Sequence, residues 1–326
     1  MSTIYGPVPS WRFGRSLGVD VILPPKTCTF DCIYCQLGET EIAPGTSSEH
    51  NIPTPEMIKN ELSEYLKNID ISTLDFITFS GTGEPTLNPY LQDIVKSVRE
   101  LVQNIPIVIL SNASLFFKQD IRRRLLDFDI VVAKMDAGDE DTFRKINRPK
   151  SQSITLEKIV DGIKKFKEIY NGDLALEVML LKTTNNFVSN IYKNQLDALI
   201  SVIKDINPDI VQLDIPYMPP SQSFVSPPSN NELKTVSDLF SKHFESSKLW
   251  IYGTHDMRNK KVVWKSEKNI EGRILALLKR RPCSLQDIST TLGIDINTVK
   301  NIINKQLKEN LIEKKEFNDI TYYFSL

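Results

Sequence analysis

Short apolar runs rich in β-branched residues alternate with amphipathic stretches from residue 16 to about residue 218. Six runs have the length and composition of strands, and they are SLGVDVIL, LDFITFSG, IPIVILS, DIVVAKMD, LALEVMLL and DIVQLDIPYM. Strands that alternate with helices form a parallel sheet with right-handed crossovers. The chain is therefore predicted to have an α/β fold, an open partial (β/α)6 TIM-like barrel, because eight such units are needed to close a barrel.

Four unusual segments directly follow the first four strands of this pattern. They are CTFDCIYC, GTGEPTL, SNASL and MDAGDEDTFRKINRP, in chain order. The carboxyl ends of parallel strands meet at one edge of a sheet, and α/β proteins bind their ligands there. We therefore expect these four segments to surround a common site.

Cys28, Cys32 and Cys35 lie within eight residues, and Cys283 is the only other cysteine in the sequence. Thiolates are soft ligands that suit zinc, copper(I) or iron–sulfur clusters. Three thiolates fill three positions of a metal centre, so a fourth ligand would be a histidine, a distant residue or a bound small molecule. A structural zinc site formed by these cysteines with His50 is the main alternative to a cluster.

The composition is that of an ordinary globular protein, with 40 Lys and Arg against 41 Asp and Glu in 326 residues. A formal charge of −1 gives no overall basic field, so a nucleic-acid contact would need a local patch. No apolar run approaches the roughly 18 residues of a membrane-spanning helix, and the first residues lack the apolar core of a signal peptide. We therefore expect a cytoplasmic location without membrane contact, where thiols stay reduced and can bind metal.

The composition changes near Lys265, and the pattern after it differs from the barrel. EGRILALLKRR, SLQDISTTLG and NTVKNIINKQLKEN have helical spacing of Ile, Leu and Val, and a hairpin follows around FNDI. This predicts a barrel domain at residues 1–260 and a winged-helix domain, a helix-turn-helix variant, at residues 261–326. Residues 268–326 carry ten Lys and Arg against seven Asp and Glu. Such a domain could bind a nucleic acid or a peptide, or serve only in dimerisation.

The CxxxCxxC spacing, with an aromatic residue before the last cysteine, resembles that of the radical S-adenosylmethionine (radical SAM) enzymes over roughly residues 1–255. The resemblance implies a [4Fe–4S] cluster on Cys28, Cys32 and Cys35, with S-adenosylmethionine (SAM) chelating the fourth iron. It also implies that the methionine amino end is bound by Gly81, Thr82, Gly83 and Glu84. An electron from a reductase or ferredoxin-type donor would then split SAM into methionine and a 5′-deoxyadenosyl radical, which removes a hydrogen atom from a substrate.

The segments that flank these motifs resemble one subgroup of that superfamily. YGPVPSWRFGRSLGVDVI before the cysteines and VVAKMDAGDEDTFRKINRP after the fourth strand are similar to the wyosine-synthesis enzymes and their archaeal relatives. Wyosine enzymes normally carry the cysteines of a second cluster, and this chain has none. The resemblance therefore does not extend to their specific reaction.

Ionisable and polar residues interrupt the later strands of the predicted barrel. Lys134 shares a strand face with Asp136, and Gln212 shares one with Asp214, because side chains two residues apart point the same way. These residues and Glu177 are candidate contacts for the substrate or cofactor, since buried ionisable groups need partners. The alternative is a salt bridge inside the barrel, for example between Lys134 and Glu177 or Asp214.

Two further pairs follow the strands. Ser111 and Asn112, after the third strand, are either ribose contacts of the cofactor or caps of the next segment. Arg144 and Arg148 are expected over the same mouth, where they would bind a carboxylate or phosphate or remain solvated at the surface. Cys283 is expected to be a small buried side chain.

Two functions from different classes are consistent with these patterns. The first is a radical SAM enzyme that modifies a macromolecule or a metabolite. The second is an iron–sulfur or zinc-containing regulator that binds DNA through the winged helix. The glycine-rich segment after the second strand favours the enzyme, because a regulator would not require a SAM-binding motif.

Overall fold

The computed structural model describes residues 2–40, 52–184, 187–258, 264 and 269–325. His50, which the zinc alternative requires, and the predicted domain boundary at residues 260 and 261 lie outside the described residues. Within the described part of the chain, no helix has both the length and the apolar character needed to cross a membrane.

An eight-stranded sheet forms the centre of the fold, and two short strands pair beside it. In chain order the ten strands are β1 (Ile4–Ser10), β2 (Gly14–Asp20), β3 (Phe76–Ser80), β4 (Ile107–Ser111), β5 (Ile130–Lys134), β6 (Asp173–Met179), β7 (Lys182–Thr183), β8 (Ile210–Asp214), β9 (Val225–Ser226) and β10 (Leu249–Ile251). The sheet order is β1-β2-β3-β4-β5-β6-β8-β10, and β7 pairs with β9. Strand β1 runs antiparallel to β2, and the other pairs in the large sheet are parallel. The sheet is a curled half-barrel with β1 and β10 at its open edges.

The six predicted strands are confirmed as β2, β3, β4, β5, β6 and β8, but the sheet is larger than predicted. Strand β1 has the sequence IYGPVPS, whose two prolines obscure its strand pattern. Proline lacks an N–H for the strand ladder and is tolerated at a sheet edge, which is where β1 lies. Strand β10 lies within KLWIYGT, which the sequence also indicates as an extended segment after the six strands.

Seven helices accompany these strands in the described part of the chain: α1 (Pro55–Leu66), α2 (Leu91–Leu101), α3 (Gln119–Arg124), α4 (Glu140–Asn147), α5 (Leu156–Lys167), α6 (Lys193–Ile206) and α7 (Asn230–Phe240). Several begin at a side chain that accepts a hydrogen bond from the first turn, as Thr54, Asp139, Thr155 and Ser229 do. Each long helix buries an apolar stripe, for example Leu91, Ile94, Val95 and Val98 of α2. These stripes pack on the outer face of the sheet and form the main core.

The inner face of the sheet changes character along the strands. Near the amino ends it is apolar, because Phe13, Val108, Val132 and Ala175 pack together there. Two residues further along β5 and β6 the same face presents Lys134 and Glu177. The inner face therefore has an apolar floor and a polar rim at the carboxyl ends of the strands.

Three helices and a hairpin follow, where the sequence predicts them. They are α8 (Ile270–Leu278), α9 (Leu285–Leu292), α10 (Ile296–Lys308), β11 (Ile312–Phe317) and β12 (Ile320–Ser325). Ser284 and Asp295 cap α9 and α10. A separate small core, which includes Ile274, Ile288 and Val299, holds these elements together, and Cys283 is buried in it as predicted. We refer to residues 269–325 as the C-terminal unit.

The C-terminal unit packs against the antiparallel edge of the sheet through contacts of α8 and α9 with β1. Arg280 lies just after α8, and its Nε donates a hydrogen bond to Asp20 Oδ2 at 3.1 Å. Burial raises the pKa of Asp20 to about 6, although Arg280 opposes this shift. Tyr322 of β12 donates a hydrogen bond to the backbone oxygen of Tyr217 at 2.7 Å. The unit is thus fixed to the carboxyl ends of β2 and β8 by polar contacts.

We predict that Arg280→Gln lowers the free energy of unfolding by about 3 kcal/mol, because it leaves the buried carboxylate of Asp20 without its cation. The measurement is urea denaturation at pH 7. The double variant Arg280→Gln with Asp20→Asn should recover part of the loss, since it removes the unpaired charge. Arg123→Gln on exposed α3 is the control and should change the free energy by less than about 0.5 kcal/mol. A double variant no more stable than the single one would contradict the pairing.

Candidate functional site

A cavity of about 330 Å³ opens at the carboxyl ends of the strands, on the inner face of the sheet. This volume is within the range of small-molecule sites. Six strands contribute a polar residue at or near their carboxyl ends to its lining, namely Asp20, Ser80, Ser111, Lys134, Glu177 and Asp214. The three clustered cysteines line the same cavity. The expectation that the segments after the strands share one site is therefore confirmed for the cysteine, glycine and SNASL segments.

The cysteine loop and the glycine turn after β3 are joined by main-chain hydrogen bonds. Thr27 N donates to Thr82 O at 3.0 Å, and Glu84 N donates to Thr27 O at 3.0 Å. Gly83 lies between these bonds with φ +146°, and a Cβ built on it would be 1.6 Å from the oxygen of Thr27. Only glycine fits this approach. The turn that the sequence identified is thus held directly against the residue that precedes Cys28.

The cysteine side chains are half-buried and make few hydrogen bonds. Burial raises the pKa of Cys28 to about 12 and raises the pKa of Cys32 further. Lys26 Nζ is 3.1 Å from Cys35 Sγ, and Asn147 Nδ2 is 3.5 Å from Cys32 Sγ. Thiolates in such a place need more positive charge than one lysine supplies, and a metal centre would supply it. The donor set therefore fits a metal-bound group.

The described residues around the cysteines do not form a site for a single metal ion. Across the residues that the structure describes, no three His, Cys, Asp or Glu side chains converge on a single-ion site. A single zinc ion needs its ligands within about 2.3 Å of one point, whereas an iron–sulfur cluster spreads its thiolates over several irons.

Glu84 connects the glycine turn to the SNASL segment. Its Oε1 accepts hydrogen bonds from Thr86 N, Thr86 Oγ1 and Ser111 Oγ, and its Oε2 accepts one from Asn112 N at 2.8 Å. The carboxylate is buried, and burial raises its pKa while these donors oppose the shift. Glu84 therefore connects two turns of the site. Its Oε2 accepts only one of these hydrogen bonds, so the predicted pairing with the methionine ammonium would use Oε2.

Ser111 and Asn112 have the structural role that was the alternative to ribose contact. Ser111 Oγ accepts a hydrogen bond from Ala113 N at 3.0 Å, and Asn112 Oδ1 accepts one from Ser114 N at 3.0 Å. Asn112 Nδ2 also donates to Thr29 Oγ1 at 2.7 Å and lies 3.5 Å from Cys28 Sγ. Both residues also line the cavity, so ribose contact stays a prediction.

Lys134 and Glu177 form the salt bridge that was the alternative for these strand residues. Lys134 Nζ is 2.7 Å from Glu177 Oε1, and Arg12 Nη1 is 2.6 Å from Glu177 Oε2. Burial would raise the pKa of Glu177, but Arg12 and Lys134 lower it to about 2. The ammonium of Lys134 also lies 4.9 Å from the centre of the Tyr34 ring. Lys134 and Glu177 line the cavity as an ion-paired group.

Asp136 is the predicted contact residue that the structure places elsewhere. It is buried and is not part of the cavity lining. Its carboxylate accepts hydrogen bonds from Tyr34 Oη, from Asn147 Nδ2 at 2.7 Å and from Met179 N at 2.9 Å. Tyr34 of the cysteine loop thus contacts Asp136 directly, and contact of Asp136 with the cofactor stays a prediction. Asp136 positions the aromatic residue of CTFDCIYC.

Asp214 is the least well paired carboxylate of the cavity. Its Oδ1 accepts a hydrogen bond from Ile215 N at 2.9 Å, and no ion pair within 4 Å is found for it among the described residues. Burial raises its pKa to about 7, an effect that Arg12 opposes and Glu177 reinforces. A carboxyl group that titrates near neutral pH in a cavity is suited to proton transfer or to binding a substrate donor.

Several cavity residues were missed by sequence reasoning. Arg12 lies in the turn between β1 and β2, and Arg280 and Arg281 come from the C-terminal unit. Arginines in turns give no distinctive pattern, so the sequence carried no signal for them. Arg144 has the surface role foreseen as its alternative, because it pairs with Glu140 of its own helix. Neither Arg144 nor Arg148 is in the cavity lining.

A family model described as the Radical SAM superfamily matches residues 22–188. This span is about half of the chain and contains the cysteine loop, the glycine turn and the SNASL segment. The chain belongs to the radical SAM superfamily. The predicted resemblance to the superfamily is thereby confirmed, whereas the narrower wyosine-related subgroup stays a prediction.

Relatives match nearly the whole chain. A UPF0026 protein of Methanocaldococcus jannaschii is 32% identical over 323 residues, covering 99% of this chain and 96% of its own. A UPF0026 protein of Helicobacter pylori strain 26695 is 32% identical over 324 residues, covering 98% and 96%. Streptococcus suis SuiB, bound to precursor peptide SuiA, matches with a TM-score of 0.52 at 14% identity, covering 72% of this chain and 49% of SuiB. This radical SAM chain therefore shares the fold of SuiB and spans about half of its length.

We predict that Gly83→Ala lowers the free energy of unfolding by about 3 kcal/mol or more, because the new Cβ would overlap the Thr27 oxygen. Gly253→Ala is the matched control, since Gly253 also has a positive φ of +83° but a Cβ there meets no atom within 4 Å. It should cost only the backbone strain, about 1 kcal/mol. Urea denaturation measures both, and equal losses would contradict the close approach of the two loops.

We predict that Asp214→Asn changes how stability depends on pH. The native pKa of about 7 exceeds the ordinary 3.8, so the folded protein holds a proton between these values that the unfolded chain releases. The stabilisation that Asp214 gives to the folded state is then fully present below pH 4 and is lost as pH rises through 7. The free energy of unfolding of Asp214→Asn, taken relative to that of the wild type, should therefore be higher at pH 8 than at pH 5 by on the order of 2 kcal/mol.

Urea denaturation of both proteins at the two pH values is the measurement. Asp209→Asn is the control, because a hydrogen bond from Lys167 lowers the pKa of Asp209 despite its partial burial. Its stability difference from the wild type should be the same at both pH values. A constant difference for Asp214→Asn would show that Asp214 is ionised throughout.

Proposed function

We propose that this protein is a radical SAM enzyme that binds a [4Fe–4S] cluster and SAM in the cavity at the strand ends. When bound and reduced, the cluster and SAM together would supply a 5′-deoxyadenosyl radical that removes a hydrogen atom from a substrate. The observation that carries this proposal is the main-chain pairing of Thr27 with Gly83, which brings the cysteine loop and the glycine turn into one wall of the cavity.

Each part of that wall has a distinct role in the proposal. Cys28, Cys32 and Cys35 would hold the cluster, whose positive charge stabilises thiolates that burial otherwise disfavours. Lys26, close to Cys35, would offset the negative charge of the thiolates. The residues 81–84 would receive the methionine end of SAM, because a glycine turn exposes main-chain groups to a ligand.

The opposite wall would hold the substrate. The buried pair of Glu177 with Arg12 and Lys134 keeps three charged groups in fixed positions. Fixed charges in a site that excludes water orient a substrate without reorganising during the reaction. Asp214, beside them, would exchange a proton or accept a hydrogen bond from the substrate.

The partners of the enzyme remain as the sequence predicts them. A reductase or ferredoxin-type protein would supply the electron. The C-terminal unit has the element order of a winged helix, and we propose that it belongs to that class. Its helix α10 exposes Lys300 and Lys308, while Lys305 pairs with Glu271 at 3.0 Å. This exposed face would be the contact for a nucleic acid or peptide, if the unit docks one.

The regulator hypothesis is less well supported than the enzyme. A redox- or zinc-sensing site would need the cysteines but not a cavity with SAM-binding residues and a buried ion-paired wall. The joint lining of one cavity by the cysteines, the glycine turn and Glu177 supports catalysis.

We predict that the full chain, reconstituted anaerobically with iron and sulfide, produces 5′-deoxyadenosine when dithionite and SAM are added. Cys32→Ala should lose the cluster absorbance and all 5′-deoxyadenosine formation, because one iron loses its ligand. Cys283→Ala is the control, since Cys283 is buried in the separate core of the C-terminal unit. It should retain the iron content of the wild type.

Two results would contradict the proposed function. One is a colourless protein that holds stoichiometric zinc after reconstitution, which would favour the regulator. The other is undiminished SAM cleavage by Cys32→Ala, which would remove Cys32 from the ligand set.

A further inference from the structure

The C-terminal unit contributes two adjacent arginines to the cavity. Arg280 and Arg281 follow the end of α8, and both line the cavity together with Tyr5 and Tyr217 of the half-barrel. The unit therefore closes one side of the site, in addition to any role of its exposed surface. Its two arginines have different surroundings.

Arg280 makes hydrogen bonds that hold the C-terminal unit to the half-barrel. Its Nε donates to Asp20 Oδ2 at 3.1 Å, its Nη1 donates to Ala276 O at 3.2 Å, and its Nη2 donates to Ser2 O. Its guanidinium also lies 5.5 Å from the centre of the Tyr5 ring. The charge of Arg280 is thus balanced by Asp20, and each of its three nitrogens donates a hydrogen bond within the fold.

Arg281 has no such partners in the described part of the chain. No carboxylate lies within 4 Å of its guanidinium there, and its buried Nε finds no acceptor. The side chain is only partly exposed, and its exposed part faces the cavity that it lines. Asp287 of α9 interacts electrostatically with Arg281, but no ion pair joins them within 4 Å, so the partly buried guanidinium has no direct counter-charge. Such a guanidinium beside a cavity favours the binding of an anion there.

The neighbouring charges do not supply that anion. Arg12 and Lys134 share the single carboxylate of Glu177. Asp214 is the other carboxylate on this side, and burial raises its pKa to about 7, so it is only partly ionised near neutral pH. The wall formed by Arg12, Lys134, Glu177, Asp214 and Arg281 therefore carries a net positive charge.

Tyr217 offers a second donor beside Arg281. Its backbone oxygen accepts the hydrogen bond from Tyr322, and its ring stacks on Tyr252 with 5.0 Å between centres. Its hydroxyl group makes no hydrogen bond to any described residue, and it interacts electrostatically with Arg281. The ring is thus held in place while the hydroxyl group stays available to a ligand.

We propose that Arg281 and the hydroxyl group of Tyr217 bind an anionic group of the substrate, a carboxylate or a phosphate. The C-terminal unit then completes the substrate site by supplying the cation that the half-barrel lacks at this position. A guanidinium suits both anions, because its planar donors match two oxygens at once. This inference rests on the proposed function, since it assigns the substrate class of the same cavity.

The test is calorimetric titration of the full chain with inorganic phosphate and, separately, with acetate, both as purified and after anaerobic reconstitution. We expect the wild type to bind at least one of the two anions at a single site. Arg281→Gln should weaken that binding about tenfold or more, Arg281→Lys less, and Tyr217→Phe about threefold. Arg123→Gln on α3 removes one exposed arginine and should bind like the wild type.

Preference for one anion identifies the substrate group as phosphate or carboxylate. Failure of both anions to bind the wild type, or equal binding by Arg281→Gln and Arg123→Gln, would overturn the inference. Protection of Arg281 from phenylglyoxal by the bound anion, measured by peptide mapping, locates the site independently of folding losses in the variants. Because the titration needs neither reductant nor SAM cleavage, its failure is separate from failure of the 5′-deoxyadenosine assay.

Discussion

The main-chain pairing of Thr27 with Gly83 is the contact on which the site depends. It joins the loop after β2 to the turn after β3, so the three cysteines and the glycine turn become one wall of the cavity. The pairing itself uses backbone atoms only. Glu84 extends the same connection to the turn after β4, where Ser111 and Asn112 donate to its carboxylate. Three successive strand ends are thereby fixed relative to one another before any cofactor binds.

Burial and pairing divide the cavity into two chemically different sides. On the cysteine side, burial disfavours the thiolates of Cys28 and Cys32, so this side requires positive charge from a ligand. On the other side, Arg12 and Lys134 outnumber their one shared carboxylate, Glu177, so this side attracts negative charge. A metal centre at one side and an anionic substrate at the other would satisfy both. An apolar floor lies beneath both sides, near the amino ends of the strands.

Much of this arrangement could be predicted from the sequence, because periodicity and strand order are local signals. The six parallel strands, the position of the cysteines and the row that contains Lys134 and Glu177 follow from period-two spacing and from the rule that ligands bind at carboxyl strand ends. Strand β1 escaped prediction because its prolines hide the pattern, and residue spacing gives no sign that Tyr34 donates a hydrogen bond to Asp136. Contacts between residues 260 positions apart, such as Asp20 with Arg280, cannot be recognised from a single sequence.

The C-terminal unit illustrates how charge composition and charge position differ. Its surplus of Lys and Arg suggests a basic surface, yet Arg280 and Arg281 point to the cavity and Lys305 is paired with Glu271. Arg280 fixes the unit to the half-barrel, and this fixation determines where the adjacent Arg281 is presented. Delivery of a macromolecule by the exposed surface of the unit does not require a guanidinium without an ion pair in the cavity lining. Because Arg281 lines the cavity, the proposed substrate site would include the C-terminal unit, whatever the outer surface of the unit contacts.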